Sequence, residues 1–312
     1  MGYMHIENLY KYPAIFKFDE VYVLEKIHGT SAHIRYQDGK ITFFSGGVSH
    51  ESFVALFDPP QSSWLGVGKC DTSGSLLDRM KQVAEGGEWD SITVYGEAYG
   101  GKCQGMSDTY GNELRFVAFD VRVLGEDDGL VWLNTAEAAA VVNMLGLQFV
   151  KWERVKTTLE NLSRLRDEPS HQAKRNGCGD DKPAEGIVIR PLEECTDSRG
   201  NRVICKHKRD EFMETATPRQ VDPEHLRVIQ DAEKIAREWV TPMRLIHVTD
   251  KLGGLDNLTP KDFGRLIPAM IEDVKRESVG EVAWSKDAEK CVGHATVHLF
   301  KKMAMERLLK AR

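Results

Sequence analysis

Val21-Tyr22-Val23-Leu24-Glu25-Lys26 and Ser31-Ala32-His33-Ile34-Arg35-Tyr36 read as two strands, and Ile27-His28-Gly29-Thr30 joins them in a tight turn. Lys26 closes the first strand. Side chains alternate faces along a strand, so Glu25 and Lys26 point to opposite sides and Glu25 does not simply neutralise the lysine. A lysine fixed between a strand and a glycine turn can act as a nucleophile on a nucleotide phosphate, provided that it loses its proton. With a reference pKa near 10.4, only about one lysine in a thousand is neutral near pH 7.4, and burial or nearby positive charge raises that fraction. Lys-x-x-Gly alone is a thin signal: a chain of this length contains about one by chance, and an ordinary strand-end lysine is then the commoner case. Its weight comes from the motifs downstream of it and from their order.

Outward from this turn, residues 1 to about 212 are rich in short strands. Lys40–Phe44 follows Asp38-Gly39, a hairpin signal. Asp58–Gly74 reads as a loop, Ser75–Glu85 as a helix stopped by Gly86-Gly87, and Ser91–Glu97 and Leu114–Val123 as strands. One helix comes after Thr135, and another opens on a capping box of Thr157 and Glu160. Residues 169–184, polar and rich in Gly and Pro, predict a mobile surface loop. Gly186–Arg190 and Arg202–Lys208 read as closing strands. Beyond Thr215 the texture turns helical. Asp222-Pro223 starts one helix; Thr259-Pro260 starts another, carrying Phe263, Leu266, Ile267, Met270, Ile271 and Val274 as an amphipathic stripe. Ser285 caps a last long helix with Val292, Phe300, Met303 and Leu308. The pattern is a mixed α+β body with a small helical domain behind it, without internal repeats.

Composition sets the outer bounds. A chain of 312 residues, 41% hydrophobic, is expected to be a soluble globular protein with one large domain, or one large and one smaller. No apolar run spans a bilayer, and Met1-Gly2-Tyr3-Met4-His5 lacks a signal-peptide layout. The six cysteines form no C-x-x-C pair, which predicts reduced thiols and a cytoplasmic location. A net charge of -6 argues mildly against nucleic acid, but a local basic groove can override it. Two clusters qualify: Arg202–Arg209, and the tail with Lys301, Lys302, Arg307, Lys310 and Arg312.

Six further positions carry chemistry. Lys206 and Lys208 share one strand face, two cations suited to a polyphosphate, although a solvated edge strand would show the same pattern. Glu185 opens a strand apolar on both faces and needs a partner there: a hydrated divalent cation, or an ion pair with Arg190 or a nearby lysine. Glu97 sits among glycines that allow close backbone approach, as a carboxylate for ribose hydroxyls or simply a loop carboxylate. Phe119 can stack on a purine or fill the core, and Asp120 interrupts an apolar strand.

Taken in order, Lys26-x-x-Gly29, Glu97, Phe119-Asp120, Glu185-Gly186 and Lys206-x-Lys208 resembles the covalent nucleotidyltransferase superfamily of ligases and capping enzymes. Glu25-Lys26-Ile27-His28-Gly29-Thr30, with His28 where DNA ligases and capping enzymes usually carry Asp, looks like the nick-sealing (double-strand) RNA ligase family of large phages and RNA-editing ligases. Thr259–Arg265 and the helix after it look like that family's C-terminal domain. The resemblance implies an α+β nucleotidyltransferase domain, ATP-grasp-like with antiparallel sheets flanked by helices, over residues 1–214. It implies a small all-α RNA-binding domain over 215–312. The implied activity is ATP-dependent RNA ligation of 3′-hydroxyl and 5′-phosphate ends through lysyl-AMP and RNA-adenylate. Lys26, His28, Asp120, Lys206 and Lys208 would be catalytic. Glu25, Lys26, Gly29, Glu97, Phe119, Lys206 and Lys208 would bind the nucleotide, and Glu185 a magnesium or manganese ion. The expected partner is RNA, as a nicked duplex or an RNA/DNA hybrid, met by a monomer away from membranes, in host cytoplasm if the source is viral.

One departure stands out. Phage members usually carry an arginine about twenty residues past the nucleophile. The matching stretch here, Phe43-Phe44-Ser45-Gly46-Gly47, has no base, so that contact is missing or supplied from elsewhere. Two rivals share parts of the pattern: an ATP-dependent DNA ligase, which would place a β-barrel after the last lysine motif, and a non-catalytic AMP- or RNA-binding relative.

Overall fold

The computed structural model describes residues 2–57, 74–125, 129–197, 200–217 and 231–310. Residues 58–73 of the expected loop, Cys70 among them, lie outside the described residues, as do the helix start at Asp222-Pro223, Arg312 and the side chains of Leu308 and Lys310. By its internal contacts the chain forms two compact units. The first holds residues up to Asn8 and Ala14–His207; the second holds Leu9–Pro13 and the chain from Lys208 onward.

The first unit is two five-stranded sheets with helices. Its elements are β1 (Glu7–Asn8), β2 (Glu20–Lys26), β3 (Thr30–Gln37), β4 (Lys40–Phe44), α1 (His50–Val54), α2 (Leu76–Gly86), β5 (Trp89–Tyr99) and α3 (Ser107–Tyr110). Then come β6 (Arg115–Gly125), β7 (Gly129–Trp132), α4 (Thr135–Met144), β8 (Trp152–Lys156), α5 (Leu159–Arg166), α6 (His171–Arg175), β9 (Gly186–Pro191) and β10 (Cys205–Lys208), whose last residue passes into the second unit. One sheet runs β1-β10-β9-β2-β8 and the other β4-β3-β5-β6-β7. The second sheet is antiparallel throughout, whereas β1 lies parallel to β10. The three residues after Lys26 carry the chain from the end of one sheet to the start of the other.

Local chemistry explains these elements. Asp38 and Gly39 both take positive φ, 51° and 71°, the backbone that a two-residue hairpin needs between β3 and β4. Ser75 and Asp78 cap α2 reciprocally, and Asn134 with Glu137 does the same for α4. Alternation then sorts the second sheet. Ala32, Ile34, Ile92, Val94, Val121 and Val123 enter a core with Met80 and Ala84 of α2 and Ala138 and Val142 of α4. The opposite face of the same strands carries Ser31, His33 and Arg35, then Thr93, Tyr95 and Glu97, then Asp120 and Arg122.

Four expectations are corrected. α5 is capped by Thr158, whose hydroxyl accepts from the Asn161 backbone N–H; Thr157 is not the cap. Residues 169–184 are not a free surface loop. Ser170 and Gln172 are buried, α6 lies within the segment, and Pro169 bridges Pro183. The last strand covers only Cys205–Lys208, with Arg202 in an isolated bridge to Thr196. Nor is Arg202 part of an open basic groove. Its guanidinium is buried against Asp120, as is that of Arg190.

Apart from the end of β10, the described residues of the second unit form helices: α7 (Ala232–Trp239), α8 (Pro242–Asp250), α9 (Phe263–Glu277) and α10 (Lys286–Lys310), with short 3-10 turns. The stripe on α9 puts Leu266, Met270 and Val274 fully into the core beside Trp239, Leu245, Val292 and Phe300. Burying each such side chain is worth about 1.5–3 kcal/mol. Ser285 accepts from the Ala288 N–H at the start of α10, as a cap should. Arg244 of α8 is buried between Asp273 at 2.6 Å and Glu214 at 3.4 Å. No helix among the described residues is long and apolar enough to cross a membrane.

Candidate active site

Lys26 is the last residue of β2 and pairs in register with Gly186, the first residue of β9. That register sets Glu185 beside it. The Lys26 ammonium donates to Glu185 Oε2 at 2.8 Å, and His28 Nδ1 lies 3.2 Å from the same oxygen. Glu185 and His28 are buried, while the lysine side chain keeps about a fifth of its exposure, 22%. The turn is pinned from behind, because the His28 backbone N–H donates to the Tyr110 hydroxyl at 3.3 Å. Of the sequence's two options for Glu185, the ion pair with a lysine is present; Arg190 turns away to Asp120 and Glu194.

Gly29 is required by closeness to the neighbouring strand. A Cβ there would stand 2.3 Å from the Ala98 carbonyl oxygen and 2.9 Å from Glu97 Cγ. The half-buried Glu97 side chain therefore lies directly over the turn, on the open face of β5. Gly46 is held in a similar way, at φ 59°, with Thr30 and Ser31 against it, and the Gly47 N–H donates to the Thr30 hydroxyl at 2.9 Å.

Glu25 points the other way, as alternation requires. Its carboxylate accepts from the Ser170 hydroxyl at 2.6 Å and from the Gln172 N–H at 3.1 Å, at the first turn of α6. Burial raises its pKa above the ordinary range, against the pull of those hydrogen bonds. Its place is beneath the lysine, holding α6. Asp120 is fully buried, and its two oxygens take Arg190 at 3.0 Å, Arg202 at 2.5 Å and the Tyr3 hydroxyl at 2.5 Å. Burial works against ionisation there, but the two guanidiniums outweigh it and hold the carboxyl below its usual pKa. Phe119 falls at a bulge, between the pairs Tyr95–Asp120 and Gly96–Ala118, and meets the Tyr3 ring edge-on at 4.9 Å.

Lys206 is buried on β10, in register with Asn8. Lys208, two residues on, belongs to the second unit and donates to Glu214 at 2.7 Å. Glu214 also meets Arg244 and His247; the Lys208 charge first, then the His247 hydrogen bond and the Arg244 charge, hold its carboxyl well below the ordinary range despite burial. The structure thus gathers Lys26, His28, Gly29, Glu97 and Glu185 at one turn. It gives Glu25 and Asp120 other neighbours. Among the described residues, no group of three or more His, Cys, Asp or Glu side chains could hold a metal ion unaided. Tyr110, Ser170 and Gln172 were not foreseen: their partners lie 82 to 147 residues away in sequence, and no local pattern marks them.

The family model described as RNA ligase matches residues 19–208, more than half of the chain, from before Glu25 and Lys26 through Lys208. No curated protein matches the sequence. Among solved structures, the chain is similar to a Naegleria gruberi RNA ligase. A mutant of that ligase with ATP and Mn shows 15% identity over 68% of this chain and 57% of that one, with a TM-score of 0.47. Another mutant, with AMP and Mn, gives 15% identity and a TM-score of 0.46 over the same shares. The ligase with PPi gives 16% and 0.45, over 68% of this chain and 57% of that one. The match spans less than two thirds of that ligase's length.

Proposed function

This chain belongs to the RNA ligase family, and on that premise we propose that it is an ATP-dependent ligase joining a 3′-hydroxyl to a 5′-phosphate in RNA, at nicks in duplex. The observation that carries the reading is the turn itself. A nucleophile-capable lysine and a histidine share one buried carboxylate oxygen, with a second carboxylate packed above them.

The chemistry runs through three displacements. Lys26 Nζ, having lost its proton, attacks the α-phosphorus of ATP; the Nζ–P bond forms, the P–O bond breaks and pyrophosphate leaves. An oxygen of the RNA 5′-phosphate then attacks the lysyl-AMP phosphorus, the Nζ–P bond breaks and the amine regains a proton. The 3′-hydroxyl finally attacks the activated 5′-phosphorus, giving the phosphodiester, and AMP leaves. Positioning and charge neutralisation do most of the work. Glu97 orients the ribose over Gly29. Phe119 stacks on adenine. Lys206, with Lys208 on the same strand face, neutralises the α-phosphate, and Gly29 lets the backbone come close. Glu25 acts from beneath, by fixing the strand that presents Lys26. His28 and Asp120 serve the later steps.

A lone buried carboxylate fits a divalent cation only in company with phosphate oxygens and water, the usual habit of magnesium. Glu185 would hold magnesium or manganese in that way, and such an ion supplies charge neutralisation on the phosphates. We assign the helical second unit to gripping RNA, in a monomeric enzyme working in the cytoplasm. A DNA ligase is disfavoured: after Phe212 the described residues contain helices and no strand of a barrel.

Incubation with α-labelled ATP tests the proposal. The wild-type chain is expected to give an acid-resistant labelled band, and Lys26→Ala none. A band that persists in Lys26→Ala, or no band in the wild type, overturns it. Sealing of nicks with RNA or DNA on the 3′-hydroxyl side then separates the two ligase classes.

A further inference from the structure

Lys26 is held from both sides along the chain. One residue before it, the Glu25 carboxylate accepts from the Ser170 hydroxyl and the Gln172 N–H at the start of α6. Two residues after it, the His28 N–H donates to the hydroxyl of Tyr110, the last residue of α3. These two anchors are themselves joined. Asn176 Nδ2 donates to the Tyr110 carbonyl at 3.0 Å, and Asn176 Oδ1 accepts from Gln172 Nε2 at 3.3 Å. Glu25, Gln172, Asn176, Tyr110 and His28 thus form one chain of hydrogen bonds, and Lys26 lies in the short stretch of backbone that its two ends enclose.

Tyr110 is suited to be the fixed point of that chain. It is fully buried, and its ring meets Tyr99 edge-on at 5.2 Å. The last carbonyls of a helix lack partners within it, and Asn176 supplies one to Tyr110. Burial raises the pKa of the Tyr110 hydroxyl; the hydrogen bond from His28 opposes this, and the charges of Glu25, Glu185 and Glu97 add to the rise. The hydroxyl therefore stays neutral and keeps a lone pair for the His28 N–H. The same three carboxylates place Tyr110 directly behind the turn that presents Lys26.

We propose that Tyr110 and Asn176 are positioning residues for the reacting amine: through α3 and α6 they hold the backbone on either side of Lys26 and so set where Nζ meets the α-phosphorus. This rests on the ligase reading above. In-line attack tolerates little displacement, and a shift of about 1 Å can cost about a hundred-fold in rate. Neither residue is among those assigned to the nucleotide. Loss of the clamp therefore slows the chemical step and leaves ATP binding as it was.

The test uses the full chain and the variants Tyr110→Phe, which keeps the ring and removes the hydroxyl, Asn176→Ala, and the two combined. At saturating ATP, the single-turnover rate of lysyl-AMP formation is expected to fall about ten- to hundred-fold in each single variant, with the half-saturating ATP concentration within about two-fold of wild type. Because the two residues act along one path, the double variant is expected to be no slower than the slower single variant, whereas two separate structural roles would multiply their losses. Hydrogen exchange is expected to quicken at the His28 amide, without a matching change across the rest of the first unit. Wild-type rates in both single variants overturn the proposal. So do multiplied losses in the double variant, uniformly quickened exchange, or a loss that appears in the half-saturating ATP concentration instead of the rate. Should Tyr110→Phe not fold, Asn176→Ala at its half-buried position decides alone: a slowed rate at unchanged half-saturation upholds the proposal, and a wild-type rate overturns it. Failure of the wild type to form lysyl-AMP at all would overturn the ligase reading instead.

Discussion

A single oxygen, Glu185 Oε2, is contested by Lys26 and His28. Removing the imidazole leaves the lysine's partner in place, so His28→Ala is expected to keep lysyl-AMP formation within about ten-fold of wild type. Nick sealing is expected to fall about a hundred-fold or more, the scale of losing a positioned acid–base group. Gel assays of the two steps check this, and equal loss of both would remove His28 from the later steps. The residue scale was partly legible. Lys26, Gly29, Glu97 and Glu185 could be named because each stands next to a glycine or at a strand end, where local sequence fixes the setting. The reason for Gly29 was not legible. It is absent from the residues with positive φ, and its need is the approach of Ala98 from a strand about seventy residues away.

At the scale of elements, α6 shows how a segment of loop-like composition becomes ordered. The Ser170 hydroxyl both caps the helix and donates to Glu25. Ser170→Ala removes both bonds, and a loss of about 1–2 kcal/mol is expected in urea unfolding, with faster hydrogen exchange confined to residues 169–178. Uniform exchange across the first unit would contradict this local role. The hairpin of β3 and β4 was legible because Asp38-Gly39 encodes it locally. α6 was not, because its anchor sits on β2, about 145 residues earlier in the chain.

Across the whole first unit, Asp120 joins the two sheets. It stands on β6 of one and receives Arg190 from β9 of the other. Asp120→Asn would leave the two buried guanidiniums of Arg190 and Arg202 with Glu194 as their one remaining carboxylate partner among the described residues, and a loss of about 3 kcal/mol is expected. The pH dependence has a defined sign. With the folded-state pKa held below the unfolded value, the stability from Asp120 is present above the unfolded pKa and is lost as pH falls through the folded one. Urea midpoints at neutral and acid pH check this: the wild type should lose stability on acidification, and the variant should lose less. The motif order pointed to Asp120 without revealing this tie, since strand alternation places a side chain on a face but does not say which other sheet lies opposite.

The crossing from β2 to β3 has a consequence for how such a chain can vary. Each sheet sets its own register, Lys26 against Gly186 in one and Thr30 against Ala98 in the other. The intervening Ile27, His28 and Gly29 therefore act as a spacer of fixed length. One residue more or fewer would leave the pairings on either side possible but shift the amine relative to Glu97. Substitution at Ile27 is a question of volume, whereas insertion or deletion here changes the reach of the reacting atom, so the count of residues is constrained more tightly than their identity.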